Sequence, residues 1–146
     1  MRRTAFAASA LVGLGMLVGC SSSADSCLDG TWELVDTSQF RGDQITSMGG
    51  SFSSEMTFGD GVVSSVVESS IPATDTTVQM DTQIVATGGY SVSNGTLTVT
   101  DVTVTTTING ETSPTGSSTA GLSEGAKPYT CGDGELTIDA VGFAKK

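Results

Sequence analysis

The chain predicts an all-β domain, an antiparallel meander of about eight or nine short strands. Three observations carry this reading. From Thr31 onward the sequence is rich in Thr, Ser, Val and Gly, the residues that suit a pleated, half-buried surface and the turns between strands. Its apolar residues alternate with polar ones over short stretches that end at glycine-containing turns. Three dipeptides, Asp60-Gly61, Asn94-Gly95 and Asp133-Gly134, fall where a two-residue hairpin loop sets apolar residues opposite apolar ones.

The elements follow in order. A first strand covers 31–36. Between Ser38 and Met48, Phe40, Ile45 and Met48 lie on a helical spacing behind Ser38 as a candidate cap, so a short helix or covering loop is expected. Strands over 51–59 and 62–69 flank Asp60-Gly61. Pairing 59 with 62 sets Phe58 opposite Val63, so Phe52, Met56 and Phe58 share a face with Val63, Ser65 and Val67, while Val62 and Val66 face the other way. From 76 to 87, Val78, Met80, Thr82, Ile84 and Ala86 alternate with Gln79, Asp81 and Gln83 in a long half-buried strand, followed by another over 89–93. At Asn94-Gly95 the same arithmetic sets Val92 opposite Leu97 and Tyr90 opposite Val99. The strand over 96–108 carries a break near Thr100-Asp101. Asn109-Gly110 fails the test, because Ile108 would face Glu111, and a longer or irregular loop is expected there. Ser113 to Gly125 reads as a Ser/Thr/Gly loop containing Pro114. The last strands, 128–132 and 135–140, flank Asp133-Gly134, which sets Cys131 opposite Leu136 and Tyr129 opposite Ile138.

Composition narrows the function. The 146 residues include six Lys and Arg, sixteen Asp and Glu and no His, for a net charge of −10. With so few cations there is no basis for displacing counterions from nucleic acid, so no nucleic-acid partner is expected. The absence of His removes Ser-His-Asp and Cys-His catalysis and His-ligated zinc sites. Among the acids, Asp29, Asp60 and Asp133 stand beside Gly in turn positions, and Glu33, Glu55, Glu68 and Asp81 fall on outward faces. No carboxylate pair has a reason to be buried, and no calcium-loop spacing occurs. No catalysis and no cofactor are expected.

The N-terminus is an export signal. Met1-Arg2-Arg3 forms a positive head, and the mostly apolar run from Ala5 to Val18 is too short to span a bilayer by itself. It closes with Leu17-Val18-Gly19-Cys20, which resembles the lipobox of bacterial lipoproteins. The resemblance implies cleavage before Cys20, diacylglycerol on its sulfur and stable anchoring by two or more acyl chains. The chain then divides into a signal over 1–19, a lipidated Cys20 with a short tether over 20–26, and a domain over 27–146. The alternative is an ordinary secretory signal followed by an unmodified cysteine. Fully extended, the seven steps from Cys20 to Cys27 reach at most about 25 Å, so the domain is expected at the extracytoplasmic face of the cell membrane. With Cys20 assigned by that resemblance, Cys27 and Cys131 are left to form a disulfide in an oxidising compartment; the alternative is two free thiols.

Gly30-Thr31-Trp32, opening the first strand directly after signal and tether, resembles the Gly-x-Trp entry of lipocalins and their calycin relatives. Together, Cys27 to Trp32 near the start and Tyr129 to Thr137 near the end are similar to small lipocalin-like lipoproteins of high-GC Gram-positive bacteria. That resemblance implies an up-and-down antiparallel β-barrel of about eight strands. The chain departs from the lipocalin pattern in lacking a late arginine to pack over the entry Trp; Lys145 and Lys146 are the cations near its end. An immunoglobulin-like sandwich is the alternative fold, although Trp32 follows Cys27 too closely for the usual Cys-strand-Trp arrangement.

A barrel of this size is filled by its own side chains or holds one small ligand. The resemblance favours a binder of a small hydrophobic ligand or lipid, with Phe52, Met56, Phe58, Met80, Ile84 and Tyr90 lining the cavity. The other reading is a cell-envelope structural or protein-interaction module with a filled core and a partner the sequence does not name.

Overall fold

The computed structural model describes residues 26–114 and 121–146. Nine strands form: β1 (Gly30–Leu34), β2 (Ser51–Gly59), β3 (Val62–Ile71), β4 (Met80–Ser93), β5 (Thr96–Ile108), β6 (Glu111–Pro114), β7 (Gly125–Gly132), β8 (Glu135–Ile138) and β9 (Val141–Lys145). A single 3-10 turn over Ser38–Phe40 and a short helix α1 (Gly42–Ser47) lie between β1 and β2. All pairings are antiparallel. β1 pairs with β2 on one side and β9 on the other, and the ring runs through β3, β4, β5, β7 and β8 into a closed up-and-down barrel of eight strands. Closure leaves no free sheet edge in the ring. The sandwich alternative is thereby excluded.

Four hairpin turns use the same device. Asp60, Asn94, Asn109 and Asp133 sit at φ 51, 49, 49 and 53, each followed by a glycine at φ between 73 and 84. These are the left-handed pairs of the two-residue turns whose twist matches that of the strands. At three of them the register is as expected: Phe58 faces Val63, Tyr90 faces Val99 and Cys131 faces Leu136. Asn109-Gly110 is a correction, because it too is a two-residue turn, with Ile108 opposite Glu111. There β5 and β6 extend beyond the ring as an exposed arm, where neither face needs to match an apolar core, and Ile108 is 45% exposed.

The remaining corrections concern boundaries. Residues 80–93 form one strand rather than two. Val78 precedes it and is 85% exposed, and Met80 at its first position is 42% exposed. The break near Thr100-Asp101 is a β-bulge: Asp101, at φ 54, is the extra residue between Thr100 and Thr103 opposite Gly88. It shifts the inward set of β5 from Leu97 and Val99 to Val102 and Val104, so both halves of the strand keep their apolar side in. A Cβ at Gly88 would stand 2.8 Å from the Thr100 carbonyl oxygen, so the bulge requires the missing side chain. The final strand was not expected. Asp139 and Ala140, at φ 49 and 67, make a two-residue turn without glycine, and residues 135–140 divide into β8 and that turn. Ser38 caps nothing with its side chain; Arg41, at φ 61, opens α1 instead.

The ring has two unlike ends. At the closed end, where the turns at 60–61, 94–95 and 133–134 lie, Leu28, Trp32, Phe58, Val63, Leu97, Val99 and Leu136 are all at most 2% exposed. Each large side chain so buried contributes about 1.5–3 kcal/mol. The Trp32 indole Nε1 donates to the Leu28 carbonyl at 2.8 Å, which pins the segment before β1 across the barrel floor. Lys145, the β9 partner of Trp32, holds its ammonium 5.4 Å from the indole centroid. A disulfide joins Cys27 to Cys131 on β7, with Cα atoms 6.0 Å apart across 104 residues of chain.

Replacing Cys131 with Ser should lower the melting temperature under oxidising conditions. The chain-entropy account sets an upper limit of about 4–5 kcal/mol for a loop of this length. Thermal melts with and without reductant check it: the reductant should lower the wild-type transition and leave that of the variant unmoved.

Candidate functional site

Three features stand apart from the packed floor: an orphaned phenol, an outer groove and a cavity in the open end. The phenol belongs to Tyr90, whose ring meets Phe58 edge-on with centroids 5.1 Å apart and planes at 87°. Its hydroxyl is buried and has no partner in hydrogen-bonding geometry. Burial, then the nearby Asp29 carboxylate, push this phenol above its ordinary value of 10.0.

The outer groove, about 430 Å³, runs over the rim between the start of β2, the end of β3, the start of β4 and the arm of β5. Phe52 forms part of its wall, beside Ser70 and Asp81. The Ser70 hydroxyl donates to Asp81 at 2.6 Å and the Gln79 amide at 2.9 Å, and these bonds hold the Asp81 carboxyl below its usual range. Gln83 likewise donates to Glu68 at 2.8 Å. These carboxylates are satisfied by their own neighbours, and the groove opens broadly to solvent.

The cavity at the open end is smaller, about 170 Å³, and sits inside the ring. Met56 of β2, Ile138 of β8 and Val141 and Phe143 of β9 supply apolar walls, and Phe40, placed by the turn before α1, closes over them with Gly121. Tight packing makes that lid: a Cβ on Gly121, itself at φ 73, would stand 3.2 Å from the Phe40 ring. Lys127, Ser123 and Asp139 contribute the polar side of the wall.

The six residues expected to line one cavity are therefore dispersed. Met56 borders the open-end cavity and Phe52 the outer groove. Phe58 and Tyr90 pack at the closed end, and Ile84 lies half-buried against the core. Met80 is a correction: at the tip of β4 it has passed beyond the ring and faces solvent. Phe40, Lys127, Ile138, Val141 and Phe143 were not assigned to the site from sequence. Lys127 was within reach, since stepping back by twos from Cys131 through Tyr129 keeps it on the inward face. Val141 and Phe143 were hidden behind the glycine-free turn.

Among the described residues no group of His, Cys, Asp and Glu could hold a metal ion, and no helix is long and apolar enough to cross a membrane. Cys20 and the signal over 1–19 lie outside the described residues. Comparison with known families, curated proteins and solved structures finds no match to this chain.

Tyr90→Phe removes an unpaired buried hydroxyl and should leave neutral-pH stability within about 1 kcal/mol of wild type, or raise it. A phenol whose folded pKa is raised contributes stability that is whole below its unfolded pKa and fades as pH rises through the folded value. Wild-type melting temperature should therefore decline above about pH 10 more steeply than that of Tyr90→Phe. Melts between pH 8 and 12 compare the two.

Proposed function

We propose that this chain is a lipid-anchored lipoprotein of the bacterial cell envelope, attached through Cys20, whose lipocalin-like barrel binds one small, largely apolar ligand at its open end. The anchor rests on the sequence: a positive head, an apolar run and Leu17-Val18-Gly19-Cys20. The binding reading rests on one observation, the cavity of about 170 Å³ between Phe40 and the inward residues of β2, β8 and β9. Its size defines the ligand. A closed apolar cavity of about 150 Å³ accommodates benzene, whereas drug-sized ligands occupy about 300–1,000 Å³. The cavity itself encloses a group of about the smaller size, not a whole membrane lipid.

The second reading, an envelope interaction module on a filled scaffold, draws on the floor of the barrel, where Trp32, Leu97, Val99 and Leu136 are each 1% exposed. The two readings differ over the open end alone.

Toluene, titrated into the mature protein with 13C-labelled methionine methyls, should shift the Met56 resonance saturably and leave the exposed Met80 methyl in place. A Met56 resonance unmoved up to the solubility limit of toluene would favour the filled scaffold. Independently, Cys20→Ser should move the protein from the membrane pellet to the soluble fraction with its melting temperature unchanged. Retention in the pellet would overturn the anchor.

A further inference from the structure

Lys127 occupies a position where a barrel strand normally places an apolar side chain. Its Cα partner on β5 is Leu97, 1% exposed, and like Leu97 it faces the interior. An ammonium on an inward face loses hydration and needs compensation. Here it is half-buried and donates one hydrogen bond, to the Ser123 hydroxyl at 2.7 Å, out of the three it can offer. Among the described residues no carboxylate lies within ion-pair distance of it. The ion pair found among the described residues joins Lys146 to Glu55 on the outer face. Asp139, which also lines this cavity, lies outside ion-pair distance of Lys127. In a chain with sixteen acidic residues and six basic ones, an internal salt bridge was amply available, so the missing counter-charge is a property of this position.

Most of the remaining side chains in the cavity wall are apolar, Phe40, Met56, Ile138, Val141 and Phe143, with Ser123 and Asp139 as the other polar groups. An ammonium that is not ion-paired with the one carboxylate of a mostly apolar wall complements an amphiphile with one negative charge. We propose that the open-end cavity takes a small organic monocarboxylate, its carboxylate held by Lys127 and its apolar group between Phe40 and Phe143. This proposal rests on the binding function given above and adds the chemical class of the ligand. The volume admits on the order of six to nine non-hydrogen atoms, an aromatic ring or short branched chain with its carboxylate. A multiply charged anion fits poorly, since a single ammonium would face it within a strongly acidic protein.

The test compares three probes of similar shape, benzoate, toluene and benzylamine, by the Met56 methyl shift of the mature protein. Benzoate should bind most tightly and benzylamine least. Lys127→Met should weaken benzoate by at least about tenfold relative to its effect on toluene, because only benzoate loses a charge-assisted hydrogen bond. Lys127→Arg should keep benzoate within a few-fold of wild type. Toluene binding with benzoate excluded, or benzoate binding indifferent to Lys127→Met, would overturn the carboxylate proposal and leave the apolar site standing. Failure of all three probes would remove the site itself. Melting curves of both variants establish that they fold.

Discussion

Everything in this molecule depends on the seam between its first and last strands. β1 pairs with β2 through Trp32 and Met56, and with β9 through Trp32 and Lys145, so one residue sits on both sides of the closure. Separate that seam and two strands acquire rows of unpaired backbone groups, with the interior open to water along the whole length of the barrel. Trp32 holds it from within by filling the floor and donating to Leu28, and Lys145 lies over the indole from the partner strand. Most of the seam's strength is apolar burial, to which the cation adds a smaller, directional share.

Closure also explains why the interior divides. Strand alternation delivers every second residue to the lumen, and at the floor those residues are large and interlocked. Toward the other end the ring loses members: β5 leaves its pairing with β7 after Val99, bulges at Asp101 and continues into the arm with β6. The wall there is completed by Phe40 and Gly121 from outside the sheet. A cavity at that end follows from a barrel whose strands are unequal in length, and Lys127, Ser123 and Asp139 give its wall a polarity that the floor lacks.

Much of this was legible in the sequence wherever glycine marked a turn. Asp60-Gly61, Asn94-Gly95 and Asp133-Gly134 each set a register, and with it most of the inward residues, because a two-residue loop leaves no freedom in the pairing. The reading failed where that logic was applied outside its domain. Asn109-Gly110 was rejected for pairing Ile108 with Glu111, a mismatch that matters only where one face is buried. Asp139-Ala140 was missed because its left-handed residues are not glycine, and β9 went with it, together with Val141 and Phe143 of the cavity wall. Met80 continued the inward alternation of β4 correctly but stood beyond the point where there was an interior to face. The placement of Phe40 over the cavity depends on a left-handed Arg41 and the chain path around it, which no spacing encodes.

The bridge between Cys27 and Cys131 lies just ahead of β1. Any pull arriving along the chain from its beginning reaches Cys27 before it reaches Gly30. Covalent bonds hand that load to Cys131 near the end of β7, which is separated from the seam by β8 and β9. A load applied to the chain ahead of Cys27 therefore passes into β7 instead of peeling β1 away one residue at a time, and the strand most exposed to shear is the one relieved of it.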